Sequence, residues 1–477
     1  MEDLRSDTAG LAHVGLDAAG DQAHDGRSYL QLLSYLGHRV GGDLGVGSVQ
    51  LLNEVGLDAV GSALSVLRGE RSVLDVGGEL FARSCSGSRY QALVQTLGKK
   101  LFGSARREGE RVLDGNEYFD LTWFPASSAS PGTARTGLFH VGGVLAYGDP
   151  LFRLLPEICF FDRFTERGIP VYAMELKGDR HALDYRDLTL EKVIDSVERF
   201  SRVAFEHNER NKLILEGYCG LAPQALAFVA ARPQEADARF RVAASFVGPF
   251  DGRVCGELAE IMGLMPESLL RASRAATVRA HDYVGGDSLR FTQDVALRSL
   301  LGKTLLGRFA SGWRRPDFAR VDGVESLTSA QRKELAGAYW TSPENCRRFP
   351  IPADLSAFSE ALFTRGVGER GELPASYRGR PLSLASAAEK TQLRFVGFYG
   401  AQDSLVPGST AKVLMQVFGE RYSHVVNENA GHVAYVLSPK MWERGAPKCF
   451  DPNPVDLLLA LVGETEKHES PRATPSN

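Results

Sequence analysis

Short apolar runs alternate with amphipathic segments along two stretches of the chain. In the first stretch, apolar runs of strand length are separated by segments with helical spacing. The strand-like runs are 136–141, 170–176, 213–215 and 241–247, and the helical segments are 189–205 and 223–231. The second stretch adds strand-like runs at 393–400 and 424–426 and an amphipathic helix at 455–462. Strands that alternate with helices in this way predict a mostly parallel sheet covered on both faces.

A β-hairpin is predicted to precede this alternation. The runs 111–113 and 118–125 flank Asp114, Gly115 and Asn116, which are residue types that favour tight turns. We therefore expect an antiparallel pair at the start of the sheet.

The remaining regions break the alternation and divide the chain. The predicted divisions are a disordered N-terminus (1–27), a helical N-terminal region (28–105), the first part of the core (106–251), a helical cap (252–387), the second part of the core (388–463) and a polar tail (464–477). Because the long helical insertion lies between sheet strands, we expect it to act as a cap or lid over a site.

A sharp turn from strand to helix is predicted at Cys219. The apolar run 213–215 is followed by Gly217, Cys219 and Gly220, and a helix with Pro223 in its first turn comes next. This arrangement is the nucleophile elbow of α/β-hydrolases, G-x-S-x-G, with cysteine in place of serine. A helix N-terminus behind the thiol favours the thiolate. A buried core cysteine is the alternative interpretation of this window alone.

An acid and a histidine follow the elbow in the order that this fold requires. Asp403 comes just after the run 393–400, and His432 comes just after the run 424–426. In α/β-hydrolases the nucleophile, the acid and the histidine occur in this chain order, the last two just beyond late strands. The sequence therefore predicts a catalytic triad of Cys219, Asp403 and His432 in an α/β-hydrolase fold, a mostly parallel sheet with a helical cap insertion and a helical N-terminal region.

Backbone N–H groups near the nucleophile are the candidates for an oxyanion hole. The N–H of Gly220, the residue after the nucleophile, is one expected donor. The loop after the run 136–141 supplies the second, from Gly143 or Val144. The alternative for that loop is a flexible glycine turn without a catalytic role. Gly286-Asp287-Ser288-Leu289 spells another esterase tetrapeptide, which we interpret as accidental because it lies inside the predicted cap.

Composition and charge narrow the classes of molecule that the chain is expected to bind. The 477 residues are 43% hydrophobic and 24% charged, with a net charge of −4 and a pI of about 6.2. This net charge does not favour binding to nucleic acid or to an anionic membrane. Six scattered cysteines without metal-ligand spacing predict reduced thiols in the cytoplasm, with no metal and no cofactor. No secretory signal and no apolar run of transmembrane length is predicted.

These motifs resemble those of the polyhydroxyalkanoate synthases, with the intracellular depolymerases and related α/β-hydrolases as neighbours of that family. The elbow is similar to the cysteine-bearing box of the synthases, and Phe250-Asp251 resembles their aspartate after the next strand. Two further stretches, 400–407 around Asp403 and 431–439 around His432, are similar to their acid and histidine loops. Tyr339-Trp340-Thr341-Ser342 with Arg348-Phe349-Pro350 looks like part of their cap. The resemblance covers about residues 110 to 445 in one order.

The resemblance implies an acyltransferase that accepts a hydroxyacyl-CoA substrate. Cys219 would carry the acyl chain as a thioester, His432 would activate thiol or hydroxyl, and Asp403 would support His432. A homodimer and a storage-granule surface are the implied partners. The chain departs from the family at Leu221 and Ala222, where the synthase box has small glycines, and it lacks the paired prolines after His432. A thiol hydrolase of the depolymerase or thioesterase type and a non-catalytic scaffold on the same fold remain the alternatives.

Overall fold

The structure is a computed structural model of the chain. It describes residues 57, 60–62, 64–72, 75–76, 89–127, 135–143, 148–177, 185–256, 259, 283–284, 318, 321–349 and 351–469. The predicted N-terminus (1–27), most of residues 28–88, most of the cap up to residue 320, the 286–289 tetrapeptide and the end of the polar tail lie outside the described residues.

The strands are β1 (Arg111–Gly115), β2 (Phe119–Phe124), β3 (Leu138–Val141), β4 (Val171–Leu176), β5 (Leu213–Tyr218), β6 (Phe240–Phe246), β7 (Tyr283–Val284), β8 (Ile351–Pro352), β9 (Glu372–Tyr377), β10 (Arg380–Ser383), β11 (Arg394–Gly400) and β12 (Tyr422–Asn427). The α-helices are α1 (Lys99–Leu101), α2 (Asp162–Thr165), α3 (Leu190–His207), α4 (Leu221–Ala231), α5 (Pro233–Arg239), α6 (Ser329–Trp340), α7 (Pro343–Arg348), α8 (Ala353–Thr364), α9 (Leu384–Lys390), α10 (Lys412–Phe418), α11 (Ala434–Leu437) and α12 (Pro454–Glu469). Short helical turns occur at Val94–Gly98, Asp149–Arg153, Gly252–Val254, Val324–Ser326, Gly408–Ala411, Gly419–Arg421 and Pro439–Trp442.

Eight strands form one sheet in the order β1-β2-β4-β3-β5-β6-β11-β12. β2 pairs antiparallel with β1 and with β4. Every other pair in this sheet is parallel, from β4–β3 through β11–β12. β3 and β4 exchange places relative to their order in the chain. This strand order and the predominance of parallel pairs make the fold that of an α/β-hydrolase, as the alternation of apolar runs predicts.

Hydrophobic cores lie on both faces of the sheet. Along β5, Leu213 and Leu215 belong to the core that includes α3, α4, α9 and α10. Ile214 and Tyr218 belong to the opposite core, which includes α2 and α12. Successive side chains of a strand point to opposite faces, so a strand covered on both faces is apolar along nearly its whole length. All six residues of β5 are buried.

The described part of the predicted cap is not wholly helical. It contains the antiparallel pair β9–β10, whose two-residue turn has Arg378 and Gly379 at positive φ. Helix α9 begins at Leu384 inside the predicted cap and contributes Leu384 and Ala387 to the core of the sheet. The sequence did not predict this hairpin.

The end of the predicted N-terminal helical region packs against the later part of the predicted cap. Leu97 and Leu101 share a hydrophobic cluster with Leu335 and Tyr339 of α6. A Cβ on Gly98 would lie 2.6 Å from the Leu335 carbonyl oxygen, so the two helical segments approach too closely for any larger residue.

Within the described ranges, every helix is too short or too polar to span a bilayer.

Candidate active site

The turn after β5 places Cys219 in a strained backbone conformation. Cys219 has φ of +49°, in the left-handed region that residues other than glycine rarely adopt. Its N–H donates a hydrogen bond of 2.7 Å to the Phe246 carbonyl, and its carbonyl accepts one of 3.0 Å from Ala222. Helix α4 then begins at Leu221. Strain of this kind costs free energy and is typical of functional positions, and here it lifts the thiol above the sheet edge.

Gly217 is required by the close approach of helix α4 to strand β5. A Cβ at this position would lie 2.7 Å from the Ala222 Cα atom and 2.9 Å from the Leu221 carbonyl oxygen. Both obstacles are backbone atoms, which cannot move aside as a flexible side chain can. The first glycine of the elbow motif therefore has a steric reason here.

Leu221 occupies the position where the elbow motif has a small residue, and the structure shows how it fits. Its side chain is fully buried. The closest atom to a Cβ of Gly217 is instead the Cα of Ala222, whose own Cβ lies 2.9 Å from where a Cβ of Gly248 would be. Leu221 Cδ2 lies 3.5 Å from the position that a Cβ of Gly143 would take. The bulk of Leu221 is therefore accommodated under the glycine loop after β3.

Cys219, His432 and Asp403 are brought together although they lie in three separate loops. The His432 Nε2 atom is 3.2 Å from the Cys219 Sγ atom. The His432 Nδ1 atom is 2.9 Å from Asp403 Oδ2. The second carboxylate oxygen of Asp403 accepts hydrogen bonds of 2.9 Å from the N–H groups of Leu405 and Val406. One carboxylate oxygen is thus held by backbone N–H groups, while the other orients the imidazole.

The charges of its neighbours favour the protonated form of His432. Burial opposes protonation, but the charge of Cys219 and the hydrogen bonds to Asp403 and Cys219 outweigh it and raise the pKa of His432 to about 10. The side chain of His432 is 18% exposed, whereas that of Asp403 is fully buried. The structure therefore places an imidazole that favours its protonated form within hydrogen-bond reach of the Cys219 sulfur.

Other free cysteines among the described residues have a different environment. Burial raises the pKa of Cys159 to about 12 and raises that of Cys255 as well. Both thiols are buried, while Cys219 and Cys449 are partly exposed. Protonated, buried thiols are poor nucleophiles, so Cys219 is distinguished by its imidazole partner and its exposure together.

The oxyanion donors predicted from sequence differ in their surroundings. None of the described residues accepts a hydrogen bond from the Gly220 N–H, which lies at the start of α4. The Gly143 N–H instead donates to both carboxylate oxygens of the buried Asp149, at 3.2 Å each. Gly143 is therefore not a free donor in this structure, contrary to the expectation for that loop. Val144 lies outside the described residues.

Asp149 has a feature that the sequence did not reveal. One of its oxygens also accepts a 3.0 Å hydrogen bond from the Leu176 N–H. Burial raises the pKa of Asp149 to about 7 even though these hydrogen bonds oppose the shift. The residue lines a cleft of about 410 Å³, to which Arg153 and Glu175 also contribute. Asp149 is thus a buried carboxyl that links the glycine loop to the end of β4.

A second histidine–carboxylate pair lies directly below the elbow. His140 on β3 and Glu216 on β5 are register partners in the sheet, and His140 Nδ1 lies 2.5 Å from Glu216 Oε2. Both side chains are almost completely buried. Each is a polar interruption in an otherwise apolar strand, and this interruption is visible in the sequence.

Comparisons with known proteins add only distant likenesses of shape. No family model and no curated protein sequence matches the chain. A soluble variant of monoglyceride lipase from Saccharomyces cerevisiae is 9% identical with a TM-score of 0.45, and the match covers 76% of this chain and 96% of that one. An esterase from Rhodococcus sp. ECU1013 is 13% identical with a TM-score of 0.35, covering 75% and 98%. An α/β fold family hydrolase from Bacillus anthracis is 11% identical with a TM-score of 0.34, covering 75% and 98%. Likenesses this distant carry no inference about substrate or activity.

Proposed function

We propose that this chain is a cysteine-dependent enzyme that cleaves acyl esters or acyl thioesters through a thioester on Cys219. The observation that carries the proposal is the continuous contact from Cys219 Sγ to His432 Nε2 and from His432 Nδ1 to Asp403. A nucleophile, a base and an orienting acid within hydrogen-bond reach are the arrangement that covalent catalysis requires.

Acylation begins with attack of the Cys219 sulfur on the substrate carbonyl carbon. The thiol proton passes to His432 Nε2, and Asp403 stabilises the resulting imidazolium. The Gly220 N–H is the donor available to the oxyanion that forms. As the intermediate collapses, the bond from the carbonyl carbon to the leaving group breaks, and His432 protonates the departing alkoxide or thiolate.

Deacylation returns the enzyme to its starting state. Water attacks the Cys219 thioester while His432 accepts one of its protons. The carbon–sulfur bond then breaks, a carboxylic acid leaves, and the Cys219 thiol is regenerated. Hydrolysis needs no acceptor site beyond these three side chains and a water molecule, so it is the simplest cycle that this geometry supports.

Transfer to a hydroxyl acceptor, as in polyester synthesis from hydroxyacyl-CoA, is the second candidate. The observation that favours it is the cysteine itself, in an elbow flanked by acid and histidine loops that resemble those of the synthases. Exchange of an acyl group between CoA and a cysteine conserves the thioester bond. The acyl group therefore stays activated for attack by the hydroxyl of a second hydroxyacyl unit, and the new bond is an ester.

Incubation of the purified full chain with 3-hydroxybutyryl-CoA tests both candidates. Free CoA thiol, soluble hydroxy acid and insoluble polyester would be measured separately. CoA release with soluble hydroxy acid supports hydrolysis, whereas CoA release with polymer supports the transferase. In either case brief incubation and acid quenching should recover an acyl group on the peptide that contains Cys219.

Cys449→Ala is the matched control for the thiol chemistry. Cys449 is another partly exposed free cysteine in the described part of the chain. Its replacement should change neither CoA release nor the acylated peptide. If no acyl group reaches Cys219 from the CoA thioester or from a simple acetyl ester such as p-nitrophenyl acetate, the chain is a non-catalytic member of the fold.

A further inference from the structure

A single hydrogen bond joins the nucleophile elbow to the histidine loop. Tyr218 is the last residue of β5 and directly precedes Cys219. Its hydroxyl donates a hydrogen bond of 2.6 Å to the backbone carbonyl oxygen of His432, 214 residues away in the chain. The strand that carries the nucleophile therefore also contacts the backbone of the residue proposed as its base.

The Tyr218 ring is a rigid support for this hydroxyl. It is 1% exposed and stacks on Phe246 with a centroid distance of 6.2 Å and an interplanar angle of 9°. Phe152 and Phe160 pack edge-on against it at 5.6 and 6.1 Å. Burial raises the pKa of Tyr218 well above its usual value, so the hydroxyl stays protonated and remains a donor. The donor is thus fixed in both position and protonation state.

The loop that carries His432 needs such a support. Gly431 precedes the histidine, and a Cβ there would have only one atom within 4 Å, 3.7 Å away. The imidazole is oriented by Asp403 at Nδ1, but a side-chain contact alone does not fix the distance from Nε2 to the Cys219 sulfur. That distance also depends on the position of the His432 backbone, which the Tyr218 hydroxyl holds.

We propose that Tyr218 is a positioning residue, whose hydroxyl holds the His432 backbone so that the imidazole stays paired with the Cys219 sulfur. The consequence for turnover rests on the proposed function. The consequence for thiol reactivity does not, because alkylation of Cys219 depends on the imidazole beside its sulfur whether or not a substrate is turned over.

Tyr218→Phe in the full chain tests this assignment. The rate of alkylation of Cys219 by iodoacetamide would be followed from pH 5 to pH 10 by mass spectrometry of the peptide that contains it. Loss of one buried hydrogen bond to a backbone carbonyl should lower the rate at pH 7 by about tenfold. The pH profile of alkylation should also change, because the imidazole no longer keeps its position beside the sulfur.

Tyr435→Phe is a closely matched control. The Tyr435 ring lies 5.1 Å from the same Phe246, and its hydroxyl donates a 2.8 Å hydrogen bond to the Tyr399 carbonyl. The Tyr435→Phe variant removes a buried hydroxyl from the same aromatic cluster without removing a contact to His432. We expect its alkylation profile to match that of the wild type. An equal shift in both variants would mean a general loosening of the cluster and would overturn the assignment.

His432→Ala provides the second comparison. If Tyr218 acts through the histidine, adding Tyr218→Phe to His432→Ala should not change the alkylation rate further. An additive loss in the double variant, or a wild-type profile for Tyr218→Phe alone, would contradict the proposal. A shifted profile in a protein that cleaves no acyl substrate would leave the positioning role intact and refute the proposed function.

Discussion

Two histidine–carboxylate pairs lie near the C-terminal edge of the same sheet. In the first, His432 contacts Asp403 and also the sulfur of Cys219. In the second, His140 contacts Glu216, and its other ring nitrogen has no hydrogen-bond partner in the described part of the chain. The two pairs contain the same functional groups but have different surroundings.

The two pairs differ in solvent exposure and in the presence of a third group, the Cys219 sulfur, beside His432. The His432 side chain is 18% exposed, whereas that of His140 is 1% exposed. The His140 ring is enclosed by Phe152, Phe161 and Phe160, with centroid distances of 4.5, 5.2 and 6.4 Å. A histidine on a strand covered on both faces is buried among core residues, while one on a loop beyond a strand can contact a substrate. A histidine beside a carboxylate is therefore not by itself evidence of catalysis.

The largest expected effect is loss of all acyl transfer in Cys219→Ala. The variant removes the sulfur that forms the covalent bond, so release of CoA from 3-hydroxybutyryl-CoA should fall to the uncatalysed rate. Circular dichroism should remain that of the wild type, because Cys219 is a partly exposed turn residue. Retained turnover in the folded variant would refute the assignment of Cys219, and with it the contrast between the two pairs.

Much of this contrast could be predicted from the sequence because it depends on order along the chain. Apolar runs located the parallel strands to within a few residues, and Cys219, Asp403 and His432 follow their strands in the order of the fold. The hairpin β1–β2 was also predicted, from Asp114, Gly115 and Asn116. Local patterns suffice for these features because turn chemistry and alternation are properties of short segments.

Features that depend on pairing between distant segments could not be predicted. His140 and Glu216 become neighbours only because β3 and β5 are adjacent in the sheet although β4 lies between them in the chain. The contact of Asp149 with Gly143 and that of Tyr218 with His432 likewise depend on loop conformations without a sequence signature. The fit of Leu221 required knowing that Gly143 lies beside it.

The buried pair should affect stability rather than reactivity. His140→Leu leaves the Glu216 carboxylate buried without its partner, and we expect it to lower the free energy of unfolding by about 3–5 kcal/mol. His140→Leu with Glu216→Leu removes both polar groups, and its stability should return to that of the wild type or exceed it. Urea unfolding monitored by fluorescence measures both values.

Iodoacetamide alkylation of Cys219 in the folded His140→Leu/Glu216→Leu variant extends this comparison. We expect a wild-type rate, since the pair does not contact the thiol. A large loss of alkylation with restored stability would show that the buried pair supports the reactive one, and the two regions would then form a single functional unit.

Stability against pH distinguishes the His432–Asp403 pair from the buried pair by the charge on its histidine. In the folded chain, burial lowers the pKa of His432, but the charge of Cys219 opposes burial and helps to raise this pKa from 6.5 to about 10. A raised pKa stabilises the fold fully below pH 6.5 and progressively less as pH rises toward 10. The wild type should therefore lose its advantage over His432→Gln across that range, as measured by urea unfolding at each pH. An advantage that grows with pH would mean that the imidazole is neutral in the folded chain.

The smallest expected effect concerns the Gly143 loop, which follows β3 and lies beside Leu221 of the elbow. Alkylation by iodoacetamide passes through no oxyanion, whereas acylation by p-nitrophenyl acetate does, so the ratio of the two rates for Cys219 isolates oxyanion stabilisation. Asp149→Ala removes the acceptor that holds the Gly143 N–H. If that N–H then becomes available to the oxyanion, acylation should rise by about tenfold, a fraction of the effect of one oxyanion donor, while alkylation stays constant.

Asp149→Asn is the matched control for this measurement, because it keeps one acceptor oxygen beside Gly143 while it removes the charge and replaces the other oxygen with an NH2 group. It should leave the ratio of acylation to alkylation close to that of the wild type. A fall in acylation in both Asp149 variants, with alkylation constant, would instead mean that the carboxylate holds the loop in its productive position. Asp149 would then support the reaction at Cys219 together with His432 and Asp403, whereas His140 and Glu216 would have a structural role only.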